Sequence, residues 1–547
     1  MVVNKLKLIY LLPIILIVFS KAFNEMFVFP KTILLIFLFS FLIFYTVFER
    51  KKIQIYNLKF LIILLIFMLF QGLFVVNLKF LAAADFLFFI LILVFISQKY
   101  DYSKKIYVMI LNFFAVFIAV YVIFQAFGID LFFYTAHLSV YERLNSLFST
   151  LGNKNYVGEF LMCVFLLNWG FRLRYKWFNY LYFFVMFLTF SRSVILFLFV
   201  FTVFNFVKNK DKKLFLIFIT ILLLFVLTGG ILGYYHDWQF VSMFNFSGKN
   251  SIGQRIYIWL AGLEIFKNYM FSGVGAGHFS EAFNYYQYLH LFRFDYSYFC
   301  KTNHAHNEII HILAEYGIAG SAILYMFFLP LFRKIKGYGR FFFLFIYLFY
   351  QSMFSFPLRL PSVWIAIFPA LNFLVINSGK IYVFKMKKLF SVLLVYFLTA
   401  NIIGAIIAGV SDYYLKKGFN AEEYVEKDYY FSQALFYNFN SYEPHFNLAK
   451  LSLSNDKFDK AMYHSEESLK FSKNPLIFYY RGLINEGMGN RDEAIEDLEK
   501  FVTFFPVSYK GYYNLYMLYR DVNEEKAQHY FELYNIFVEL QIEHTEL

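Results

Sequence analysis

Long apolar runs broken by short polar connections occupy the chain up to about residue 410. They lie near residues 5–22, 29–48, 58–76, 80–97, 106–128, 155–170, 177–191, 192–207, 213–232, 307–331, 339–355, 361–377 and 389–410. A bilayer core takes about 20 apolar residues per helix, so the pattern predicts about thirteen membrane spans. Lys5 and Lys7 precede the first run in the manner of a signal peptide, but no small-residue cleavage site follows. That run therefore reads as the first transmembrane helix.

Basic clusters orient the spans, because cytoplasmic connections hold the excess of Lys and Arg. Arg50, Lys51 and Lys52 follow the second run, Lys99, Lys104 and Lys105 the fourth, and Arg172, Arg174 and Lys176 the sixth. Lys208, Lys210, Lys212 and Lys213 follow the eighth, Arg333, Lys334, Lys336 and Arg340 the tenth, and Lys380, Lys385, Lys387 and Lys388 the twelfth. The alternation predicts a cytoplasmic N-terminus, an external loop over about 233–306, and an external C-terminal segment. The expected fold is all-α: a polytopic transmembrane helix bundle over 1–410, followed by a helical domain over 411–547.

That last segment changes character, becoming rich in Glu, Lys, Asn and Tyr. Ala461, Ala494 and Ala527 recur every 33 residues, and Pro444, Pro475 and Pro506 every 31. Apolar helical patterns such as PHFNLAKLSL precede turns such as NDKFDKA, and the units resemble tetratricopeptide repeats, about two and a half of them, in which small residues let paired helices approach. Chance spacing in an unrelated bundle is the competing reading.

Composition agrees with a lipid solvent: 60% of residues are hydrophobic, 24% are aromatic, and the mean hydropathy is +0.56. An ordinary soluble globule is excluded. The net charge of +13 sits in the clusters between apolar runs, which is the pattern of membrane orientation, and no nucleic-acid partner is expected. Two cysteines, Cys163 and Cys300, exclude a disulfide framework and a four-cysteine zinc site.

Ionisable residues at the external face carry the candidate chemistry. Arg192, in LTFSRSVILF, falls at the external end of its run. It either serves a site or snorkels to the headgroups. Arg255, in IGQRIYIWLAGLEIF, lies in the long loop, with Glu264 as an alternative partner. Gly273, Gly275 and Gly277 superficially match a nucleotide fingerprint, but no strand-helix-strand unit surrounds them; they read as tight turns where backbone approaches a substrate or another helix. The loop closes with NHAHNEIIHILAEYGIAG. His304, His306 and His311 invite a metal, but His311 falls about one and a half turns into the next helix, and no metal or cofactor is expected.

Asn307 is placed to cap that helix, so His306 stands at its positive end, where imidazolium is disfavoured. A neutral His306 suits a general base, against the plainer reading of a helix-start residue. Arg offers a planar, permanently charged fork for pyrophosphate. Two Arg, a neutral His and a helix N-terminus, with no Asp-x-Asp pair, fit glycosyl transfer from a polyprenyl pyrophosphate. The expectation is that Arg192, Arg255 and His306 line one externally open cavity.

Three stretches carry a family resemblance: STLGNKNYVGEFL at 149–161, IGQRIYIWLAGLEIFKNYMFSGVGAGHF at 252–279, and AHNEIIHILAEYGIAG at 305–320. They resemble the Gly-Asn-x-Asn segment, the Arg-x-x-x-Trp segment with its Gly-x-Gly turn, and the His-Asn helix start with Glu-x-Gly of the O-antigen ligase and polymerase superfamily of bacterial inner-membrane glycan enzymes. The resemblance implies that His306 activates the acceptor and that Arg192 and Arg255 contact an undecaprenyl-pyrophosphate-linked glycan. Asn153, Asn155, Gly275, Asn307 and Glu315 fall on matched positions as supporting residues; Glu315, an acid within an apolar run, needs a buried partner. The implied acceptor is a lipid A-core sugar, with another lipid-linked glycan (polymerase) or a polypeptide (protein O-oligosaccharyltransferase) as alternatives. The thirteenth span and the repeats depart from the ordinary ligase pattern and suggest a protein partner. A transporter would show repeated halves with matching helix breaks, which the sequence lacks. A mere scaffold would not need so many spans.

Overall fold

The computed structural model describes all of the chain except residues 1–7, 24–25, 75–89, 101–102, 131, 133–146, 174–175, 237–250, 288–301, 336–340, 379, 439–440, 473 and 546–547. Lys5, Lys7, Arg174, Lys336, Arg340, Cys300, most of the expected 80–97 span and parts of the 233–306 loop lie outside the described residues. What is described is mostly helical, and its contacts divide it into two units.

The first unit comprises residues 1–64, 87–245 and 322–406. It holds α1 (Val28–Arg50), α3 (Lys104–Ala126), α4 (Lys154–Gly170), α5 (Trp177–Leu188), α6 (Arg192–Asn209), α7 (Lys212–His236), α11 (Phe342–Ser352) and α12 (Pro361–Ile376). Among the described residues of the whole chain, four helices are long and apolar enough to cross a membrane: Val28–Arg50, Lys104–Ala126, Glu308–Arg333 and Lys388–Asn420. Shorter apolar helices include Leu58–Gly72, Trp177–Leu188, Phe342–Ser352 and Pro361–Ile376.

Lipid gives helices no hydrophobic reason to associate, so interhelical hydrogen bonds and close packing hold them together. Asn112 of α3 and Asn168 of α4 exchange amide hydrogen bonds of 2.8 and 2.7 Å. Asn168 also donates to Asn179 of α5 (2.7 Å), and the Tyr182 hydroxyl donates to Asn112 (2.9 Å). Lys31, buried in α1, donates to the carbonyls of Val18, Phe27 and Thr150, which satisfies an ammonium that apolar surroundings would otherwise penalise.

One element departs from an all-helical reading. β1 (Lys52–Tyr56) pairs antiparallel with β2 (Ile381–Lys385), Lys52 opposite Lys385 and Tyr56 opposite Ile381. The ribbon therefore joins two of the basic segments that the sequence assigns to the same membrane side. The β-branched and aromatic residues in KIQIY and IYVFK favour extended backbone, and the pairing occupies main-chain groups that have no helix to join.

The second unit comprises residues 65–86, 246–321 and 407–547. Its site-bearing part contains α8 (Ser251–Asn268), α9 (Phe279–Tyr286) and the start of α10 (Glu308–Ile335). Three helices run from one unit into the other, α2 (Leu58–Phe74), α10 and α13 (Lys388–Asn420), and no helix end falls at residue 410. Beyond α13 come α14 (Tyr424–Tyr437), α15 (Tyr442–Leu453), α16 (Phe458–Phe471), α17 (Pro475–Gly487), α18 (Arg491–Phe504), α19 (Tyr509–Tyr519) and α20 (Glu524–Thr545).

The C-terminal helices pack as consecutive pairs: α15 with α16, α17 with α18, and α19 with α20. Ala461, Ala494 and Ala527 are all buried at these contacts, which explains why a small side chain recurs there. Pro475 opens α17, where its missing N–H costs nothing. Arg481 of α17 grips Asp497 of α18 through two hydrogen bonds, 2.7 Å from Nε and 2.5 Å from the terminal nitrogen.

Candidate functional site

A break in a helix organises this region. Within α10, Gly317 adopts φ 60°, ψ −167°, which no helical residue has. The freed main-chain groups are taken by the glycine-rich segment that follows α8. Val274 N–H donates to Ala314 O (2.9 Å) and Gly275 N–H to Glu315 O (2.9 Å), while Ile318 and Ala319 N–H donate back to Met270 O (2.8 Å) and Phe271 O (3.2 Å). Irregular backbone at membrane depth is tolerated where protein satisfies it, and this segment does so almost strand-like. Gly273 (φ 66°) and Gly317 face one another here; a Cβ on Gly273 would collide with the Glu315 carbonyl, and one on Gly317 with the Phe271 carbonyl. Of the two partners that the sequence left open for the Gly-x-Gly turn, the structure shows a helix. Gln71 of α2 donates to Ser272 O and, at 2.9 Å, to Glu315 O, adding a side-chain tie.

Glu315 is buried, and its carboxylate is satisfied from two sides. Gly277 N–H donates to Oε1 at 3.0 Å and Phe279 N–H at 3.4 Å, so it holds the end of the glycine segment and the start of α9. His311, one turn earlier on α10, supplies the buried partner: its Nε2 is 3.0 Å from the same oxygen. Ala305 N–H donates to His311 Nδ1 at 3.2 Å, which makes Nδ1 the acceptor, while Nε2 approaches Glu315 without forming an aligned hydrogen bond. The His311 ring packs on Phe279 with centroids 4.7 Å apart. Replacing Glu315 by Ala leaves these buried donors without an acceptor and should cost about 2–4 kcal/mol. Glu315→Gln, which keeps an acceptor oxygen, should cost less than half as much; thermal unfolding of the two variants side by side reads the difference.

His306 is therefore carried by a fixed scaffold. Ala305 is tied to His311, and Asn307 Oδ1 accepts from Ile309 N–H (3.0 Å) and Ile310 N–H (3.1 Å), capping α10. His306 itself sits at φ 50°, a left-handed conformation rare for a side-chain-bearing residue. Such strain persists only where surroundings over-determine it, and it concentrates at functional sites. Burial pushes the His306 imidazole down to about 4, and the charge of Arg255 and the neighbouring His311 add to the effect. Arg255 is thus close enough to act electrostatically on His306. Its helix, α8, packs through Tyr257, Ile258, Ala261 and Ile265 into a core with Phe279, Phe283, Ala305 and Ala314. Glu264, the alternative partner weighed for Arg255, lies 3.5 Å from Lys267.

The C-terminal helices reach this same core. Phe505, which follows α18, packs against it, and Phe504 meets Tyr285 of α9 in a tilted ring contact with centroids 4.8 Å apart.

Arg192, Asn153 and Asn155 belong to the first unit, Arg255 and His306 to the second. Asn153 caps α4, its side chain accepting from Asn155 N–H at 2.8 Å. Arg192 is the first residue of α6, exposed, and preceded by Phe190 at φ 52°. The two helix starts approach closely at Gly158, where a Cβ would lie 3.1 Å from Thr189 Oγ1 and 3.4 Å from Ser191. Lys154, in the first turn of α4, feels the charge of Arg192. Two cations beside two helix N-termini form an anion-attracting corner.

Lys154 and Gln71 escaped the sequence reading. A Lys in the first turn of a helix opposes the helix dipole and is a legible anomaly in GNKN. A lone Gln inside an apolar run offers only its cost as a signal.

Apolar spanning helices, a helix broken within the membrane segment, and cations gathered at helix starts define an integral membrane protein with a polar site on a helical scaffold. Residues 177–325 match the O-antigen ligase family. The match contains Arg192, Arg255, Gly275, His306, Asn307 and Glu315, whereas Asn153 and Asn155 precede it. No curated protein matches the chain significantly.

Proposed function

We propose that the protein is a metal-independent glycan transferase of the ligase type, moving an undecaprenyl-pyrophosphate-linked glycan to a lipid A-core acceptor on the external face of the bacterial inner membrane. The observation that carries this reading is His306: strained, capped into place beside Arg255, and kept neutral. Transfer from a pyrophosphate begins with a good leaving group, so the protein has two tasks. It must stabilise phosphate charge, for which Arg255 is suited, and accept a proton from the acceptor hydroxyl, for which neutral His306 is suited. Binding of the anionic donor at Arg255 cancels the charge that depresses His306 and makes it a stronger base when the substrate is present. Arg192, with Lys154, is assigned to an anionic part of a lipid-linked substrate. Asn153, Asn155, Gly275, Asn307 and Glu315 are assigned supporting roles.

The basic clusters support an orientation with a cytoplasmic N-terminus, about thirteen spans, and an external C-terminal segment. The paired C-terminal helices, with Ala461, Ala494 and Ala527 buried at equal spacing, favour tetratricopeptide-like repeats that bind a protein partner. That feature keeps a polypeptide among the candidate acceptors. The test is purified protein with undecaprenyl-pyrophosphate glycan, offered lipid A-core, a second glycolipid and a candidate protein in parallel. Product with lipid A-core supports the ligase reading; product with either alternative reassigns the acceptor, and none with any acceptor rejects transfer.

The pH dependence follows from the position of His306. An imidazole held at about 4 is deprotonated at every higher pH, so the rate is expected to be level above about pH 5 and to fall as pH drops through about 4. Arg255→Gln removes a cation that disfavours imidazolium, so the acidic limb should move upward, toward the ordinary 6.5. An acidic limb unmoved by the substitution would show that His306 does not set it.

A further inference from the structure

A cavity of about 370 Å³ in the first unit is lined by Thr46, Arg50, Lys52, Gln54, Gln98, Lys99 and Val383. Three cations meet there and no carboxylate lines it. Among the described residues, no ion pair is recorded for Arg50, Lys52 or Lys99. Lys52 lies directly opposite Lys385 across the β1–β2 ribbon, an arrangement in which like charges repel.

The frame around these charges is fixed. Gln98 is fully buried, accepts from Gln54 N–H (3.2 Å), and donates to Gln54 O (2.7 Å) and Val94 O (2.9 Å). Gln54 in turn accepts from Lys99 N–H at 2.7 Å, and Asn372 donates to Gln98 O at 2.9 Å. The cations are thus presented by a ribbon and a buried amide network rather than by a loose loop. Their level is also set: Arg50 ends the spanning helix α1, and β2 runs directly into Lys388 at the start of the spanning helix α13. The ends of spanning helices are where phospholipid phosphates are met.

We propose that this cavity is an anion site that takes a phosphate group, with Arg50, Lys52 and Lys99 as its cationic walls. A bound phosphate relieves the repulsion among the three and accepts hydrogen bonds from all of them. The volume is in the range of small-ligand sites and accommodates a phosphorylated headgroup. The phosphate belongs either to an anionic lipid or to a free ion, and the two sources separate experimentally.

The test uses full-length protein and the variant Arg50→Gln/Lys52→Gln/Lys99→Gln. Retention of phosphatidylglycerol is read by native mass spectrometry after reconstitution with phosphatidylglycerol and phosphatidylcholine. Inorganic phosphate is titrated by calorimetry in detergent. At about 1 kcal/mol per basic residue near the headgroups, the triple variant should bind about a hundredfold more weakly and each single variant about fivefold. Selective retention of phosphatidylglycerol, unaffected by inorganic phosphate, identifies a lipid headgroup; saturable phosphate binding that displaces the lipid identifies a free anion. A control variant, Lys210→Gln/Lys212→Gln/Lys213→Gln, alters a second basic cluster. Equal loss in both triple variants would reduce the effect to general surface charge and overturn the proposal, as would unchanged binding in the first. Should the triple variant fail to fold, Lys52→Gln and Lys99→Gln singly decide the matter on the same readouts.

Discussion

Replacing His306 by Ala should lower kcat by about 10²–10⁴ while changing KM for the lipid-linked donor little, because a proton acceptor acts in the transition state and not in donor binding. The substitution does not relieve the strain at φ 50°, since Ala keeps the Cβ that causes it. Loss of rate with unchanged thermal stability would separate a chemical role from a merely structural one. Full activity in a well-folded His306→Ala protein would remove the general base from the scheme and leave donor binding as the role of this region. A fall in stability matching the fall in rate would instead make His306 a helix-start residue.

The second large effect is expected at the broken helix. Gly317→Ala places a methyl group against the Phe271 carbonyl, and Gly273→Ala places one against the Glu315 carbonyl. Both residues have positive φ, so the backbone term and the collision add, giving a cost of about 3 kcal/mol at each. The obstacle is main chain held by four interchain-like hydrogen bonds, which cannot rotate away as a side chain would. Both variants should melt at clearly lower temperature and expose residues 270–278 to protease. By contrast, Gly404→Ala meets nothing within 4 Å and should be tolerated. A Gly317→Ala protein with wild-type melting would mean that α10 can run unbroken.

The difference between what sequence reveals and what it conceals lies in the range of the interaction. Spanning helices are legible because a membrane demands a local property, continuous apolarity over about 20 residues. The cap on α10 is local too: Asn307 and the two N–H groups it serves lie within three residues. The break at Gly317 is not, because its cause is a segment some 40 residues upstream that supplies the missing hydrogen bonds. Glu315 announced that it needed a partner, and His311 stood four residues away, but the seating of the His311 ring depends on Ala305 folding back to meet its Nδ1. The β1–β2 ribbon pairs segments more than 300 residues apart and has no local signature beyond two short β-prone stretches. Lys154 was readable in principle, since a cation in a first helical turn works against the dipole. The family match, in turn, reaches the loop residues but not the α4 corner where Asn153 and Lys154 sit.

The contact of Phe504 and Phe505 with α9 and its core bears on how such a protein is cut and recombined. Removing residues 415–547 strips an aromatic cover from the same core that carries Ala305 and packs α8, so truncation is not a neutral way of asking what the tail recruits. A chimera that exchanges tails between related chains should carry α9 along with its matching corner, or else substitute only the exposed faces of α15 and α17. The natural seam for engineering lies on the surface of the helical pairs and not at the end of the last apolar run.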